Sequence, residues 1–386
     1  MSKHDFTKEE FTARAARAHA TIGAAGLDWL LVIHPVSIRW LIGQDTKSYT
    51  IFQCLAVSAK PGPLVLFTRG TDRAELVENS CADEIVTYGG GEPADPMEYF
   101  EKFVRQRGLL HGRVGMEVPG FYLSVPHYLR VKEILGASLV AESNGLIGAL
   151  RAIKSLREIA YTRKAAALSA QALQALIAEV APGRTELELA AAAYNTLLRN
   201  GSGLPHSTMN LVTGPRSAFA LGGPTDRRQV AGDTGLVEIG GNYRRYTSTL
   251  GRQWSLGKPS SRLVELYGVV RRASDACIAA MGQGVKAVVA HEAAKKIIAD
   301  AGLDQYRMHT TGYGMAPGFP PSWGEGVNMF GGSLDVLAEN MVVSVEPNIF
   351  IAEEDIGVRI IDNVLITPTG VELLSTTPRD LIVIDR

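Results

Sequence analysis

The chain has 386 residues, of which 46% are hydrophobic and 20% are charged, a composition typical of globular proteins rather than disordered ones. Its 39 Lys and Arg residues nearly balance its 40 Asp and Glu residues, leaving a formal charge of −1. This balance argues against a nucleic-acid binder and against a protein held to anionic membranes, because both normally carry a basic excess.

The amino-terminal segment, MSKHDFTKEEF, is polar and mixed in charge, so we expect no secretory signal peptide. No run of 18 or more apolar residues occurs, and we expect no membrane-spanning helix. The three cysteines, Cys54, Cys81 and Cys277, are far apart and form neither a disulfide framework nor a C-x-x-C metal motif. A reduced, cytoplasmic compartment is therefore expected.

The first 150 residues alternate between helical and strand-like patterns, which is typical of an α/β domain. Apolar spacing predicts a helix over 7–25 that ends near Gly26. Further helical patterns cover 71–80, 95–107 and 123–135, and strand-like runs cover 29–33, 52–58, 63–67 and 112–118.

The second half begins with Ala- and Leu-rich sequence that favours long helices, at about 155–181 and 185–199. Strand-rich sequence follows at 207–257, and two more helices are predicted at 261–282 and 287–301. The last 80 residues return to strands, at 341–351 and 357–367. Helices grouped before packed strands indicate an α+β domain, with a boundary near residue 150.

Two glutamates interrupt apolar strand sequence. Glu238 lies within LVEI (236–239), and Glu346 lies within VVSVEP (342–347). Burial of a carboxylate costs several kcal/mol unless the group is paired or protonated. Glu238 is therefore either a functional carboxylate or a salt-bridged or exposed strand residue, and Glu346 is either functional or a member of a buried structural ion pair. Because Pro347 has no N–H group, the strand before it must end there or lie at a sheet edge.

Two other segments combine polar and aromatic residues. YRRYTST (243–249) has many hydroxyl groups and no strong metal ligand, and a twisted hairpin is its simplest interpretation. The segment from HTTGYG (309–314) to FPPSWGE (319–325) is rich in Gly and Pro, which predicts a loop. Such a loop either only turns the chain or carries function.

Five ordered blocks resemble those of the pita-bread family, which includes methionine aminopeptidase, prolidase, aminopeptidase P and creatinase. SIRWLIG (37–43) also resembles a turn in the N-terminal domain of the prolidase and creatinase branch. The resemblance implies an α/β N-terminal creatinase-like domain (1–148) plus an α+β C-terminal pita-bread domain (149–386). The five blocks are LRAIKSLREI (150–159), VTGPRSAFALGGPTDRRQVAGD (212–233), EIGGNYRRYTSTLGR (238–252), HTTGYG (309–314) and SVEPNIF…GVRIIDNVLIT (344–367).

The metal ligands of the family do not carry over. Its peptidases hold two divalent ions with two Asp, one His and two Glu, and the matching positions here are Glu238, Thr249, Tyr313, Glu346 and Ile361. Hard divalent ions need several anionic oxygens or imidazoles, which this set lacks. We therefore expect no catalytic metal, no other cofactor and no ordinary peptidase activity.

The family includes two branches of metal-free enzymes, creatinase and ectoine hydrolase, and the resemblance points to one of them. Leu221 and Gly251 stand at positions that creatinase needs as His and Glu, which argues against that activity. The ectoine hydrolase branch matches better, although FALGGPTD (219–226) and Lys47 depart from it, so the substrate could be a different small cyclic or cationic C–N compound. The matching segments are GQDTKSYTIFQ (43–53), EIGGNYRRY (238–246) and GYGMAPGFPPSWGE (312–325).

This resemblance implies a metal-independent hydrolase of C–N bonds in a small cyclic amidine. It puts the nucleophile at Glu238, and we expect the cationic ring to sit between Glu238 and Glu346. Because two neighbouring carboxylates cannot both ionise cheaply, one pKa should be raised, and which of the two carries the proton stays open. Tyr313 is the third catalytic residue, as a donor to the tetrahedral centre.

The expected substrate-binding residues have mixed interpretations. Trp323 and Phe319 either stack on a cation or pack in the core. Arg359 either binds a substrate carboxylate or, as we favour, pairs with Asp362 or Glu346. The full set of expected substrate-binding residues is Tyr246, Thr249, Trp323, Phe319, Arg359, Asp45 and Tyr49.

The resemblance also implies a homodimer with shared active sites, in which Asp45, Ser48 and Tyr49 reach into the neighbour's pocket. The alternative is that these three residues form a plain surface loop. The expected partner is a small-molecule substrate, without nucleic acid or membrane. Two rival functions stay open: a metal-dependent Xaa-Pro peptidase with atypical ligands, and a non-catalytic pita-bread binding protein.

Overall fold

The computed structural model describes residues 3–92 and 94–385. The chain forms two compact units, Met1–Arg151 and Ala152–Arg386. The first unit contains a six-stranded mixed sheet in the order β4-β3-β2-β1-β5-β6. Its strands are β1 (Trp29–Val32), β2 (Cys54–Ser58), β3 (Val65–Arg69), β4 (Glu84–Tyr88), β5 (Val114–Met116) and β6 (Leu139–Glu142). Its helices are α1 (Lys8–Ala24), α2 (Pro35–Ile42), α3 (Arg73–Asn79), α4 (Pro96–Gln106), α5 (Val125–Leu135) and α6 (Gly145–Ala152).

Helices cover both faces of this sheet. Because successive side chains of a strand point to opposite faces, one strand can contribute to two buried clusters. On one face, Leu31 and Phe67 belong to a buried cluster with Phe100 of α4. On the other face, Leu30 belongs to a second buried cluster with Ile22 of α1. The strands are therefore apolar on both sides, as their sequences indicate.

The second unit is built on a nine-stranded sheet whose main path is β16-β15-β12-β10-β9-β8-β7, with β11 paired to β10 and β17 paired to β9. Strands β13 and β14 form a separate hairpin. The strands are β7 (Asn210–Thr213), β8 (Thr234–Tyr243), β9 (Tyr246–Leu256), β10 (Gly312–Phe319), β11 (Ser322–Met329), β12 (Val342–Val345), β13 (Asn348–Ile351), β14 (Ile356–Arg359), β15 (Asp362–Thr367), β16 (Gly370–Leu373) and β17 (Ile382–Ile384). The helices are α7 (Leu156–Ala178), α8 (Glu186–Arg199), α9 (Ser261–Ala279) and α10 (Ala287–Asp300).

The helices of this unit pack in two pairs. Helices α7 and α8 bury Leu173 and Leu189 against Val237 and Ile239 of β8. Helices α9 and α10 form another buried cluster with strands β12 to β15. Helix α7 starts with a capping box in which Ser155 and Glu158 satisfy each other's backbone N–H groups. The first pair of helices thus fixes the back of the strand that carries Glu238.

The mixed α/β fold agrees with the sequence expectation, and all eight predicted helices are present within a few residues. Two details differ. Residues 35–42 form helix α2, since Pro35 stands at its first helical position, where a missing N–H is tolerated. The segment expected as a loop at 309–325 contains most of the β10–β11 hairpin, whose pairing is interrupted by register shifts. Irregular pairing accommodates its Gly and Pro residues, which concealed the strands.

No helix among residues 3–92 and 94–385 is both long and apolar enough to cross a membrane.

Candidate active site

Glu238 lies on β8, on the face opposite the α7–α8 pair. Val237 and Ile239 point into the helical core, so strand alternation turns Glu238 to the other side. Its neighbours in the sheet are Asn210 on β7 and Gly251 on β9. A Cβ atom at Gly251 would lie 2.6 Å from the side chain of Ile361, so glycine is needed for this close approach. The side chain of Glu238 is buried, with 3% of its surface exposed.

Glu346 follows β12 directly, where Pro347 ends the strand, as the sequence predicted. Its backbone N–H donates to the carbonyl of Thr311 (2.7 Å). The Ser344 hydroxyl donates to its Oε1 atom (2.6 Å). Glu346 is fully buried. The hydrogen bond from Ser344, a residue of the preceding strand, helps to fix the orientation of its carboxylate.

Arg359, at the end of β14, joins the two carboxylates. Its Nη2 atom lies 2.6 Å from Glu346 Oε2 and 3.0 Å from Glu238 Oε2. Its Nη1 atom donates to the carbonyl of Ala220 (3.3 Å). The guanidinium thus occupies the place between the carboxylates where we had expected the substrate ring, and that expectation was wrong. The favoured pairing with Glu346 is present, whereas Asp362 pairs with Arg252 and Arg379 instead.

The two carboxylates have opposite protonation tendencies. Burial raises the pKa of Glu238, and the charge of Glu346 adds to that effect, outweighing Arg359 and Asn210. Burial alone would raise the pKa of Glu346 too, but the charge of Arg359 acts together with the hydrogen bonds from Ser344 and Arg359 and with His309 to hold that pKa below its usual range. Glu346 is therefore the partner whose ionised form is favoured, and Glu238 is the carboxylate whose neutral form is favoured.

The site opens into a cavity of about 470 Å³, a usual size for a small-molecule pocket. Glu238 and Arg359 line this cavity, whereas Glu346 lies behind them. Asn210 Nδ2 and Arg359 both reach the Oε2 atom of Glu238, and no hydrogen bond among the described residues uses Oε1. Glu238 thus lines the cavity with one of its two carboxylate oxygens anchored.

Tyr313 and Trp323 also line the cavity. The Trp323 Nε1–H group donates to the Tyr313 hydroxyl oxygen (3.0 Å). Since an indole N–H can only donate, the hydroxyl hydrogen of Tyr313 remains available for another acceptor. Burial and the two carboxylates raise the pKa of Tyr313 well above its usual value, so it stays protonated and acts as a donor.

Thr249 is held in a buried network of neutral groups behind Glu346. Its Oγ1 atom accepts a hydrogen bond from Asn363 Nδ2 (2.9 Å) and lies 3.5 Å from Ser344 Oγ. Ser344 in turn donates to Glu346. Thr249 does not line the cavity, so it supports the orientation of Glu346.

Two further expected binding residues are engaged away from the cavity. The Tyr246 hydroxyl donates to Glu158 Oε1 at the start of α7 (2.7 Å). Phe319 is 2% exposed and lies beneath the Arg245 guanidinium, 4.2 Å from its ring centroid. Trp323 is therefore the aromatic residue of the expected pair that borders the cavity.

The expected N-terminal site residues have contacts within their own unit. Asp45 Oδ1 lies 3.6 Å from Arg39 Nη1. The ring of Tyr49 packs edge-on against Tyr122, with 6.1 Å between centroids. Ser48 accepts a hydrogen bond from Arg69. Their reach into a second subunit stays a prediction.

Three cavity residues were not assigned roles from the sequence. His309 lies 3.6 Å from Glu346 Oε2, and burial, followed by the charge of Arg359, lowers its pKa so that it is neutral near pH 7. Asn210 fixes Glu238, and Glu325 forms a buried ion pair with Lys154. His309, Glu325 and Lys154 lie in the quoted sequence blocks, so those blocks were a usable signal, whereas Asn210 lies outside them.

Comparison with known families agrees with this architecture. Residues 14–153 match the Creatinase/Prolidase N-terminal domain, and residues 160–368 match Metallopeptidase family M24. The second match covers more than half of the chain, and the chain therefore belongs to Metallopeptidase family M24.

Relatives of different activities are about equally similar. Ectoine hydrolase of Halomonas elongata is 27% identical over 401 residues, covering 98% of each chain. Xaa-Pro dipeptidase of Pyrococcus horikoshii is 30% identical over 285 residues, covering 73% of this chain and 80% of the relative. The crystal structure of dipeptidase PepE from Mycobacterium ulcerans is 27% identical with a TM-score of 0.86, covering 99% of this chain and all of the other.

The family description implies a metal, and the side chains at this site do not fit one. Among residues 3–92 and 94–385, no group of three or more His, Cys, Asp or Glu side chains is placed to hold a metal ion. The Oε2 atoms of Glu238 and Glu346 both face the positively charged Arg359. A divalent ion at these oxygens would have to displace a buried guanidinium, and Thr249, Tyr313 and Ile361 add no anionic ligand.

Proposed function

We propose that this chain is a metal-independent hydrolase that opens a C–N bond in a small cyclic amidine, of the ectoine hydrolase kind, with Glu238 as the nucleophile. One observation carries the proposal. Glu238 lines the cavity with its Oε2 atom anchored by Asn210 and Arg359, and Arg359 is itself fixed by Glu346. A carboxylate at a pocket wall with one oxygen anchored and the other without a described hydrogen-bond partner is arranged to attack an electrophilic carbon.

The proposed chemistry requires only water as co-reactant. Glu238 Oε1 forms a bond to the amidinium carbon, and the C=N electron pair moves onto nitrogen. The lone pair of the remaining nitrogen then re-forms the C=N bond as the ring C–N bond breaks, and the departing nitrogen keeps the electron pair of that bond and takes a proton from solvent in the open cavity. Water attacks the resulting acyl imidate carbon and loses its protons to solvent, and the C–O bond to Glu238 breaks, which regenerates the carboxylate and leaves an amide and an amine.

Other side chains would stabilise charge and orient the ring. The Tyr313 hydroxyl, which keeps its proton, donates to the tetrahedral centre, and such a donor contributes a few kcal/mol to the barrier. Trp323 offers an aromatic surface to a cationic ring. Glu346 and Arg359 hold the back of Glu238 and are positioning residues in this scheme.

The pH dependence of the reaction follows from the raised pKa of Glu238. Attack requires the ionised carboxylate, so protonation removes activity as the pH falls. We expect kcat/KM to fall about tenfold per pH unit below a midpoint that lies above the ordinary glutamate value of about 4.3. A kcat/KM profile from pH 4 to 9 measures this, and a flat profile down to pH 4 would contradict the role of Glu238.

A metal-dependent Xaa-Pro dipeptidase is the second candidate, favoured by the 30% identity to the Pyrococcus horikoshii enzyme. Incubation with ectoine, hydroxyectoine, creatine and Xaa-Pro dipeptides, followed by mass spectrometry of the products, separates the candidates. Ring-opened amide without added metal supports the proposal. Dipeptide cleavage that depends on added metal supports the second candidate, and no product from any compound supports a binding protein.

We also propose that the active form is a homodimer to which Asp45, Ser48 and Tyr49 of one subunit contribute beside the other subunit's cavity. Tyr49 packs against Tyr122, next to the exposed ring of Phe121, which is 68% exposed. An apolar surface beside that segment is typical of an interface.

Light scattering during size-exclusion chromatography tests this assembly. We expect twice the mass of the chain at micromolar concentration and a shift toward the monomer for Phe121→Lys. A wild-type monomer under the same conditions would contradict the dimer.

A further inference from the structure

The turn between β8 and β9 has an unusual backbone. It is a two-residue loop, with Tyr243 paired to Tyr246, and its central residues are Arg244 (φ 52°) and Arg245 (φ 70°). Turns of this geometry favour Asn-Gly, because residues with larger side chains are disfavoured at positive φ. Two consecutive arginines in this conformation indicate that their side chains are needed at the site.

The two arginines lie against different structures. The Arg244 guanidinium lies over Tyr161 of α7 and over Tyr243, at 5.7 and 5.5 Å from the ring centroids. The Arg245 guanidinium lies 4.2 Å from the Phe319 centroid, and the Arg245 carbonyl accepts a hydrogen bond from Gly318 N–H (2.8 Å). Arg245 therefore holds the end of β10, whereas the ring contacts of Arg244 are made on α7 and at the end of β8.

The end of β10 leads directly into one wall of the cavity. Phe319 pairs with Ser322 across the tip of the β10–β11 hairpin. Pro321, Ser322 and Trp323 line the cavity, and Trp323 donates to Tyr313. A shift of the tip would therefore move Trp323 and with it the hydrogen bond that orients Tyr313.

We propose that Arg245 is a positioning residue that fixes the cavity wall formed by Pro321, Ser322 and Trp323 and thereby sets which substrates the site accepts. Its contacts with Phe319 and Gly318 restrain the hairpin tip. The effect on substrates rests on the proposed hydrolase function, whereas the placement of the wall does not.

Fluorine NMR of protein labelled with 5-fluorotryptophan tests the placement of the wall without any need for activity. Trp323→Phe assigns the Trp323 resonance among the four tryptophans. Arg245→Asn tolerates the left-handed backbone but removes the ring contact, so we expect the Trp323 resonance to shift or broaden. Arg244→Asn is the matched control and should leave that resonance unchanged. An unchanged Trp323 resonance in Arg245→Asn overturns the proposal.

Phe319→Leu provides a second route that leaves the turn untouched, should Arg245→Asn fail to fold. It should alter the same Trp323 resonance, and an unaltered resonance would again overturn the proposal. Arg245→Lys keeps a cation over Phe319 and should restore most of the wild-type spectrum.

Kinetics with the compounds that the wild type hydrolyses test the effect on substrates. For Arg245→Asn we expect kcat/KM to fall by about ten- to a hundredfold, as small misplacements do, and the ranking of ring-substituted substrates to change. Arg244→Asn should keep wild-type kinetics. If Arg245→Asn displaces the Trp323 resonance but ranks the substrates as the wild type does, Arg245 has no role in substrate choice. If the wild type hydrolyses nothing, the NMR result still decides whether Arg245 fixes the wall.

Discussion

Replacement of Glu238 by glutamine should lower turnover by about a thousandfold or more, the scale seen when a nucleophile is removed. Thermal stability should stay equal to the wild type or rise at pH 7. Burial raises the pKa of Glu238, which means that the fold disfavours its charged form, and glutamine supplies the same shape without charge. Its amide oxygen can still accept from Arg359 and Asn210, while its amide nitrogen faces the cavity.

Steady-state assays and thermal unfolding of Glu238→Gln measure both effects. The matched control is Glu353→Gln, which removes an exposed carboxylate and should change neither quantity. A Glu238→Gln variant with wild-type turnover would remove the nucleophile from the proposed mechanism. A variant that is inactive because it unfolds would be recognised by its lowered melting temperature.

Replacement of Arg359 by methionine should destabilise the fold by about 3–5 kcal/mol at pH 8, since it leaves two buried carboxylates without their shared partner. In the wild type, the depressed pKa of Glu346 contributes stability that is present at neutral pH and lost as the pH falls. Without Arg359, the pKa values of both carboxylates should rise above their unfolded values, so the variant loses stability as the pH rises. The deficit should therefore be smaller at pH 5 than at pH 8.

Urea unfolding of the variant and wild type at the two pH values measures this deficit. The double variant Arg359→Met with Glu346→Met should recover much of the lost stability, because it removes one of the two carboxylates left without a partner. Arg262→Met, which breaks an exposed ion pair with Glu354, is the control and should change little. An Arg359→Met deficit that is small at both pH values would show that the three charges are not coupled as described.

The fold was largely predictable because its helices have strong apolar spacing and clear ends. Helix α7 begins at a Ser155–Glu158 capping box, and β12 ends before Pro347, as the sequence indicated. The β10–β11 hairpin was not recognised, because Pro317 and its neighbouring glycines obscure the alternation of a strand. Those residues are accommodated because Pro317 bridges to Tyr246 at an irregular point of the sheet.

The candidate site was predictable only in part. An acidic residue amid apolar strand sequence singled out Glu238 and Glu346 one by one, and both are paired with Arg359. Their proximity was expected from the family resemblance, and the expectation that one of the two pKa values is raised agrees with Glu238. The position of Arg359 between them depends on how the β13–β14 hairpin packs, which local sequence does not reveal. Burial of Tyr246 and Phe319 likewise depends on contacts with Glu158 and Arg245 far along the chain.

The positions that would carry metal ligands are occupied by a coherent set of other contacts. Asn363 donates a hydrogen bond to the Thr249 hydroxyl, which lies within 3.5 Å of the Ser344 hydroxyl. Ser344 in turn donates to Glu346. Ile361 packs against Gly251, opposite Glu238 in the sheet. These residues satisfy each other's polar groups and fill the space. The charged partner of both glutamates is Arg359.

Turnover of ectoine by protein freed of metal is the most direct test of the central claim. Protein is treated with EDTA, passed through a desalting column, checked for Mn, Fe, Co and Zn by plasma mass spectrometry, and assayed with and without each added ion. We predict full ring-opening activity at well under one metal ion per chain, with no gain from any addition. Activity that disappears with the metal and returns with one of these ions would contradict a reaction performed by Glu238 alone.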